Sequence, residues 1–228
     1  MSSALLAQTE GSRAKAVDTA SNGRIGYLHL RAMRPDDIAD FAREFYANTD
    51  REGLIIDVRF NVGGNIDSWI LEKLLRKAWS YWQRRSPEGS PAYSNMQQTF
   101  GGHLVVLANE ETYSDGETFI EGIKRLGLAP IIGKTSSGAG VWLSDGNLLV
   151  DNGMARAAEN GQIAPDGKFL IEGIGVKPDI EVDNLPRATF LGGDAQLEAA
   201  IAKVKEAMRD RPRLEPKPEN YPRPVKFR

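Results

Sequence analysis

The chain has 228 residues, of which 41% are hydrophobic, so it can bury the core of one large domain. Its 29 basic and 31 acidic residues nearly balance, which leaves no overall field that would favour nucleic acid or an anionic membrane as a partner. The absence of cysteine excludes a disulfide framework, a thiolate zinc site and a cysteine nucleophile, and nothing in the composition calls for a metal or a cofactor.

The N-terminal segment resembles neither a secretory signal nor a membrane anchor. No basic residue precedes its brief apolar run at 4–7, and no later stretch approaches the ~20 apolar residues that a membrane span needs. We therefore expect a soluble protein. Residues 1–22 carry no sign of a domain start, so we interpret them as a linker or N-terminal extension and expect the chain to be part of something longer.

Three strand–helix units follow in chain order. They are a strand at 25–30 with a helix from Pro35 to Tyr46, a strand at 53–59 with a helix at 67–82, and a strand at 103–108 with a helix at 115–126. The strands are short apolar runs, whereas the helices place apolar residues three and four apart. Repeated units of this kind predict an α/β fold with a mostly parallel sheet, right-handed crossovers and flanking helices.

The remaining sequence extends this core and then leaves it. A fourth strand is predicted at 130–133, glycine-rich strands and turns at 138–182, and a last helix at 194–208. From Arg211 onward, five prolines indicate an extended tail. We therefore predict one core domain at 23–208 and a proline-rich extended tail at 209–228.

Ser114 lies between the third predicted strand and its helix, in the loop ETYSDGE at 111–117. A hydroxyl on such a turn is exposed at the carboxyl end of the sheet, and the next amides, unpaired at the helix start, can face a developing oxyanion. The pattern also fits a helix cap, because Glu117 stands three residues after the serine as in a capping box. Local sequence leaves both interpretations open.

The second buried strand runs almost directly into Gly63 and Gly64. Amides of adjacent glycines can approach a ligand closely, although an ordinary strand-to-helix turn would have the same sequence. Because the strands before Gly63 and Ser114 are predicted to be parallel neighbours, both loops fall on the same edge of the sheet, where open α/β sheets bind ligands.

Four ordered motifs together resemble the catalytic core of tricorn proteases and their tail-specific relatives. The motifs are GLIIDVRFNVGG at 53–64, ETYSDGE at 111–117, IIGKTSSGAG at 131–140 and IEGIGVKPDIEV at 171–182. The resemblance covers roughly residues 23–208 and implies a crotonase-like fold of repeated ββα units that hydrolyses peptide bonds through an acyl-enzyme. It favours the nucleophile interpretation of Ser114.

The same resemblance implies four site residues. Ser114 looks like the nucleophile, and the Asp115 amide resembles one donor of the oxyanion hole. The glycine pair provides the other donor, for which we select Gly63. Glu172 matches the acidic residue that orients the activating network in tricorn proteases, although by itself it would be a surface glutamate in a turn-rich segment.

A serine hydroxyl is a poor nucleophile until a general base takes its proton. Tail-specific relatives use a lysine where this chain has Ala139, and Lys134 is displaced from that position by five residues across a turn. Tricorn proteases use a histidine from a region that precedes this core. An extended strand of about six residues would hold His103 roughly 20 Å from Ser114, and His29 resembles a structural strand residue. The resemblance therefore implies a base from a missing N-terminal region or another chain.

The leading hypothesis is a serine peptidase core that acts on unstructured peptides. Two other functions stay open: a catalytically silent module of the same fold that oligomerises or binds peptides, and an acyl-thioester enzyme of the wider crotonase group, which would not need Ser114. We also expect a homo-oligomer. The resemblance implies one, and the helix with Trp69, Trp79 and Trp82 offers large apolar side chains beyond its buried stripe.

Overall fold

The computed structural model describes residues 3–83, 92–96, 98–214 and 216, and within these ranges the side chains from residue 11 onward. The helices are α1 (Ser3–Ser21), α2 (Asp37–Ala47), α3 (Asp67–Leu75), α4 (Asp115–Arg125), α5 (Pro186–Phe190) and α6 (Ala195–Asp210). The strands are β1 (Ile25–His29), β2 (Gly53–Asp57), β3 (Tyr81–Trp82), β4 (Tyr93–Ser94), β5 (His103–Ala108), β6 (Ile131–Gly133), β7 (Val141–Leu143), β8 (Ala158–Gly161) and β9 (Ile180–Glu181).

Five parallel strands form the central sheet in the order β1–β2–β5–β6–β9. These five strands lie in the sheet in the same order as in the chain, and each pair of neighbours is joined by a crossover. All carboxyl ends therefore meet along one edge. The predicted α/β fold, with a mostly parallel sheet and flanking helices, is confirmed.

Helices α2, α3 and α4 cover one face of the sheet. Their buried apolar residues form one cluster with the strands, and they include Phe41, Phe45, Ile70, Leu71, Leu74, Phe119, Ile120 and Ile123. Within the cluster the ring of Phe41 stacks on Phe45 and meets the edge of Trp69. Because burying each large apolar side chain contributes roughly 1.5–3 kcal/mol, this layer fixes the helices that begin at the carboxyl edge of the sheet.

Helices α1 and α6 cover the opposite face. Val17 of α1 and Val204 of α6 are fully buried there, in a cluster with apolar residues of β1, β2, β5 and β6. The Arg13 guanidinium also lies 3.2 Å from the Asp194 carboxylate at the start of α6. The segment interpreted from sequence as a linker or N-terminal extension is thus a helix from residue 3 to residue 21 that packs on the sheet.

The second predicted helix is shorter than its sequence suggested. Its helical backbone ends at Leu75, since Arg76 is extended, and Tyr81–Trp82 instead pairs with Tyr93–Ser94 in a two-stranded ribbon. Trp82, which is 57% exposed, pairs across this ribbon with Tyr93. Aromatic residues favour such strand pairing. The prediction of a helix through residue 82 was wrong.

The C-terminal part follows the sequence prediction where the structure describes it. The segment 138–182 contains three short strands and turns, and the last helix ends at Asp210, two residues beyond the predicted core boundary. Residues 215 and 217–228 of the predicted tail lie outside the described residues. Across the described part of the chain, no helix has the length and apolar character needed to cross a membrane.

Candidate active site

The carboxyl ends of β2 and β5 lead into two loops that lie side by side. The Thr112 hydroxyl donates to the carbonyl of Val58 at 3.0 Å, and the Tyr113 amide donates to the carbonyl of Asn61 at 2.9 Å. Thr112 is fully buried and takes the place that a glycine has in a nucleophile elbow. Its hydroxyl is one of the contacts that attach the loop before α4 to the end of β2.

Ser114 precedes α4 with an unusual backbone conformation, φ 55 and ψ −121. L-residues rarely adopt positive φ, and such strained positions cluster at functional sites. An ordinary N-cap residue has β-region dihedrals instead. The capping-box bond from the Ser114 amide to the Glu117 carboxylate is nevertheless formed, at 3.1 Å. Ser114 therefore occupies a capping position in the strained turn that is typical of an exposed nucleophile.

Gly63 is in close contact with the serine. A methyl group on Gly63 would lie 2.6 Å from Ser114 Cβ, 3.0 Å from Ser114 Oγ and 3.2 Å from the Asp115 amide nitrogen. Gly63 also has φ +81, a conformation that favours glycine. Three of the four predicted site residues, Gly63, Ser114 and Asp115, are thus brought together.

Asn61 is a site residue that the sequence did not reveal. Its side chain is fully buried, and its Oδ1 accepts a hydrogen bond from the Gly63 amide at 2.8 Å while its Nδ2 donates to the carbonyl of Leu30. The Gly63 amide is therefore already engaged, whereas the Gly64 amide makes no hydrogen bond within the described part of the chain. A buried asparagine before a glycine pair is a signal for this arrangement, because its side chain can satisfy a turn amide.

The Asp115 carboxylate contacts the glycine loop from the other side. Its Oδ2 accepts hydrogen bonds from the amides of Ile66 and Asp67, at 2.8 and 3.1 Å, and so caps the first turn of α3. Burial raises the pKa of the Asp115 carboxyl well above its ordinary value, and the nearby Asp67 carboxylate raises it further. The side chain of Asp115 thus joins the serine turn to the start of α3, directly after the glycine loop.

Glu117 is fully buried in the first turn of α4. Besides the Ser114 amide, its carboxylate accepts hydrogen bonds from the Ser136 hydroxyl and from the amides of Gly138 and Ala139, at 2.7, 2.6 and 2.8 Å. From sequence, Glu117 was only the second member of a capping box. Its contacts with the loop at 136–139 could not be predicted, because those residues lie far along the chain.

Glu172 is exposed and accepts a hydrogen bond from the Gly140 amide at 2.9 Å. It therefore contacts the loop whose preceding residues, Gly138 and Ala139, are bound by Glu117. The preceding residue, Ile171, is buried and has φ 66, a strained conformation for a β-branched side chain. Glu172 is thus connected to Ser114 through one loop, and its predicted role stays a prediction.

The two histidines and Lys134 each contact a partner of their own. The His29 Nε2 lies 2.9 Å from the carbonyl of Arg59, and the His103 Nε2 lies 2.6 Å from the carbonyl of Arg211. His103 is the first residue of β5, so it lies at the opposite edge of the sheet from Ser114. The Lys134 amine is 3.0 Å from the Glu181 carboxylate. Each of these candidate bases therefore has a local structural partner.

A network of ion pairs lies at the carboxyl end of β2. The Arg59 guanidinium contacts the carboxylates of Asp57 and Asp194, each at 2.7 Å, and the Tyr27 hydroxyl donates to Asp57 at 2.8 Å. Burial alone would raise the pKa of Asp57, but the charge and hydrogen bonds of Arg59 outweigh it and lower the pKa to about 2. This network ties the end of β2 to the start of α6.

A cleft of about 740 Å³ opens beside the glycine loop. Its apolar lining includes Phe41, Phe60 and Val62, and the last of these directly precedes Gly63. Four arginines and three acidic residues also line it, namely Arg13, Arg31, Arg34, Arg43, Asp37, Asp40 and Glu44. The cleft offers room for a ligand segment beside Val62, the residue before Gly63.

Known proteins share this arrangement of elements. The profile of peptidase family S41 matches residues 24–182. The chain is 34% identical to the tricorn protease of Thermoplasma acidophilum over 194 residues, which are 85% of this chain and 18% of that relative. It is 36% identical to a tricorn protease homolog of Saccharolobus solfataricus over 187 residues, 81% of this chain and 17% of that relative.

A solved structure agrees with the sequence comparisons. The crystal structure of the tricorn protease superposes with a TM-score of 0.81 at 32% identity, covering 87% of this chain and 19% of that chain. The resemblance to tricorn-type peptidases is confirmed. The chain spans less than a fifth of the length of these relatives.

Proposed function

The chain belongs to peptidase family S41, and from this membership we propose that it is a serine peptidase core in which Ser114 attacks the peptide bond and forms an acyl-enzyme. The observation that carries the proposal is the close approach of Gly63 to both Ser114 Oγ and the Asp115 amide. A hydroxyl flanked by backbone amides at a strand-to-helix turn is the arrangement that acyl transfer requires.

The oxyanion of the tetrahedral intermediate would be stabilised by the Asp115 amide and by the glycine pair. Gly63, the donor selected from sequence, would first have to release its hydrogen bond to Asn61. The Gly64 amide could donate without that rearrangement, since it has no partner in the described part of the chain. Loss of one such donor typically lowers kcat by 10²–10³.

The proton of Ser114 has to be accepted by a general base before the hydroxyl can attack. Because the Nε2 atoms of His29 and His103 contact the backbone carbonyls of Arg59 and Arg211, we propose a histidine from a longer form of the protein or from another chain. Glu172 would orient that histidine, since its other oxygen is not used by the Gly140 amide. The relatives' greater length is consistent with this source.

The substrate is proposed to be an extended, unstructured peptide. Such a segment could place one side chain in the cleft beside Val62 while its carbonyl carbon faces Ser114. The proposal is tested by peptide hydrolysis with the full-length protein and its Ser114→Ala variant. We expect turnover to fall by at least about 10³, and Ser144→Ala, which changes a half-buried serine directly after β7, to leave it unaltered. Equal turnover of Ser114→Ala and the unmodified protein would refute the proposal.

A second candidate, a silent module that binds peptides or oligomerises, is favoured by one observation. Apolar side chains are unusually exposed on the C-terminal half, among them Leu148, Phe169, Phe190 and Leu191 at 70, 72, 89 and 73%. Where such side chains form one contiguous patch, they mark an interface. A homo-oligomer is compatible with either function, and sedimentation of this chain at several concentrations would test it.

A further inference from the structure

The Glu117 carboxylate does more than a helix cap requires. Its Oε1 accepts hydrogen bonds from the Ser136 hydroxyl and the Gly138 amide, and its Oε2 accepts from the amides of Ala139 and Ser114. A capping box needs only the last of these bonds. The two loop amides come from residues 21 and 22 positions further along the chain.

These four bonds also explain how a carboxylate can be buried here. In the described part of the chain no lysine or arginine pairs with Glu117, although the residue is 0% exposed. A buried charge without a counter-ion is costly unless its oxygens are fully hydrogen-bonded. The Glu117 carboxylate therefore holds the loop at 136–139 against the turn that contains Ser114. If either segment moved away, the carboxylate oxygens would lose hydrogen bonds.

The loop that Glu117 holds leads directly to Glu172. The amides of Gly138 and Ala139 bind Glu117, and the next amide, that of Gly140, binds Glu172 at 2.9 Å. The carbonyl of Gly138 also accepts a hydrogen bond from the Gly173 amide at 2.8 Å. One loop thus connects the nucleophile turn with the segment that carries the second acidic residue.

We propose that Glu117 is a positioning residue that keeps Ser114 in its strained conformation and sets the place of Glu172 relative to it through residues 138–140. It contacts neither substrate nor the reacting atoms. This inference rests on the proposed peptidase function, since its consequence is catalytic. Displacements of about 1 Å in a catalytic group can lower a rate by about 10², so a disturbed Glu117 should affect kcat more than substrate binding.

The test is Glu117→Gln in the full-length protein, measured by peptide hydrolysis. The amide keeps the shape of the side chain, but its NH₂ group replaces an acceptor and faces two donors. We expect kcat to fall about 100-fold while KM stays within about twofold. Glu121→Gln, the same change one turn later at a residue bound to Arg125, should leave both parameters unaltered.

Ser114→Ala in the same assay separates the two levels of the proposal. If it leaves turnover unchanged, the peptidase function itself fails. If it abolishes turnover while Glu117→Gln stays within threefold of the unmodified kcat, the function stands and the positioning role is overturned. If Glu117→Gln does not fold, Ser136→Ala decides: it removes one of the four bonds, and an unchanged kcat would overturn the role, whereas a fall of about threefold or more at constant KM would support it.

Discussion

The Arg59 guanidinium and the Asp57 carboxylate lie 2.7 Å apart with side chains that are 1% and 0% exposed. The pair stands at the end of β2, immediately before the glycine loop. Because the pKa of Asp57 is lowered from 3.8 to about 2, the pair stabilises the fold above pH 4 and loses its contribution as the pH falls towards 2.

This relationship predicts a pH-dependent effect of Asp57→Asn. At pH 7 the variant removes one of the two carboxylates that pair with the buried Arg59 and leaves Asp194 as the other, so we expect a loss of about 3 kcal/mol in the free energy of unfolding. The difference from the unmodified chain should narrow as the pH falls from 4 to 2, because the native carboxylate is then being protonated. Denaturant unfolding at several pH values measures this. A difference that is constant across that range would contradict the assigned pairing.

The Asp115 carboxyl predicts the opposite pH dependence. Its folded-state pKa is raised, so the fold keeps the proton that the unfolded chain releases near pH 3.8, and stability is lost as the pH rises from there through the folded pKa. Asp115→Asn keeps an oxygen for the amides of Ile66 and Asp67 but cannot ionise. We expect its Tm to exceed that of the unmodified chain at pH 8 and to match it below pH 4. If the Tm of Asp115→Asn at pH 8 were lower than that of the unmodified chain, the ionised Asp115 carboxylate would not be destabilising.

Gly63→Ala should inactivate the proposed peptidase. Its methyl group would lie 2.6 Å from Ser114 Cβ, so the serine turn must shift, and we expect kcat to fall by at least about 10². Gly127→Ala is the matched control, because Gly127 also has positive φ but open space around it. Both variants should lose roughly 1–2 kcal/mol of stability from backbone strain. Thermal unfolding measures the backbone strain that both variants share, and peptide hydrolysis measures the effect of the contact with Ser114, which only Gly63→Ala has. Equal activity of the two variants would count against the site geometry.

The helix α1 predicts that residues before the predicted core contribute to folding. Val17→Ala removes buried methyl groups from the face shared with α6 and should lower the free energy of unfolding by about 2 kcal/mol. Val150→Ala makes the same change at a fully exposed side chain and should alter stability by less than about 0.5 kcal/mol. If both variants unfold at the same denaturant concentration, α1 is a dispensable extension.

The strand–helix units were predictable because each strand is a compact apolar run and each crossover helix carries an apolar stripe. Helix α1 was not predicted, because only a few of its side chains, such as Arg13 and Val17, contact the rest of the fold and they give the sequence no clear apolar periodicity. The positions of Ser114 and Gly63 followed from loops at the ends of neighbouring strands. The contacts of Asn61 and Glu117 did not, because they depend on side-chain directions between segments distant in sequence.

The backbone of Ser114 has a consequence for which of the two candidate functions the chain performs. A residue with a Cβ atom that adopts φ 55 and ψ −121 lowers the stability of the fold by on the order of 1–3 kcal/mol, and glycine would avoid this strain. A scaffold selected only for folding or assembly would be more stable with glycine at that position. Retaining a hydroxyl-bearing side chain there opposes stability, and it is the kind of compromise expected where a side chain has to be presented to a substrate.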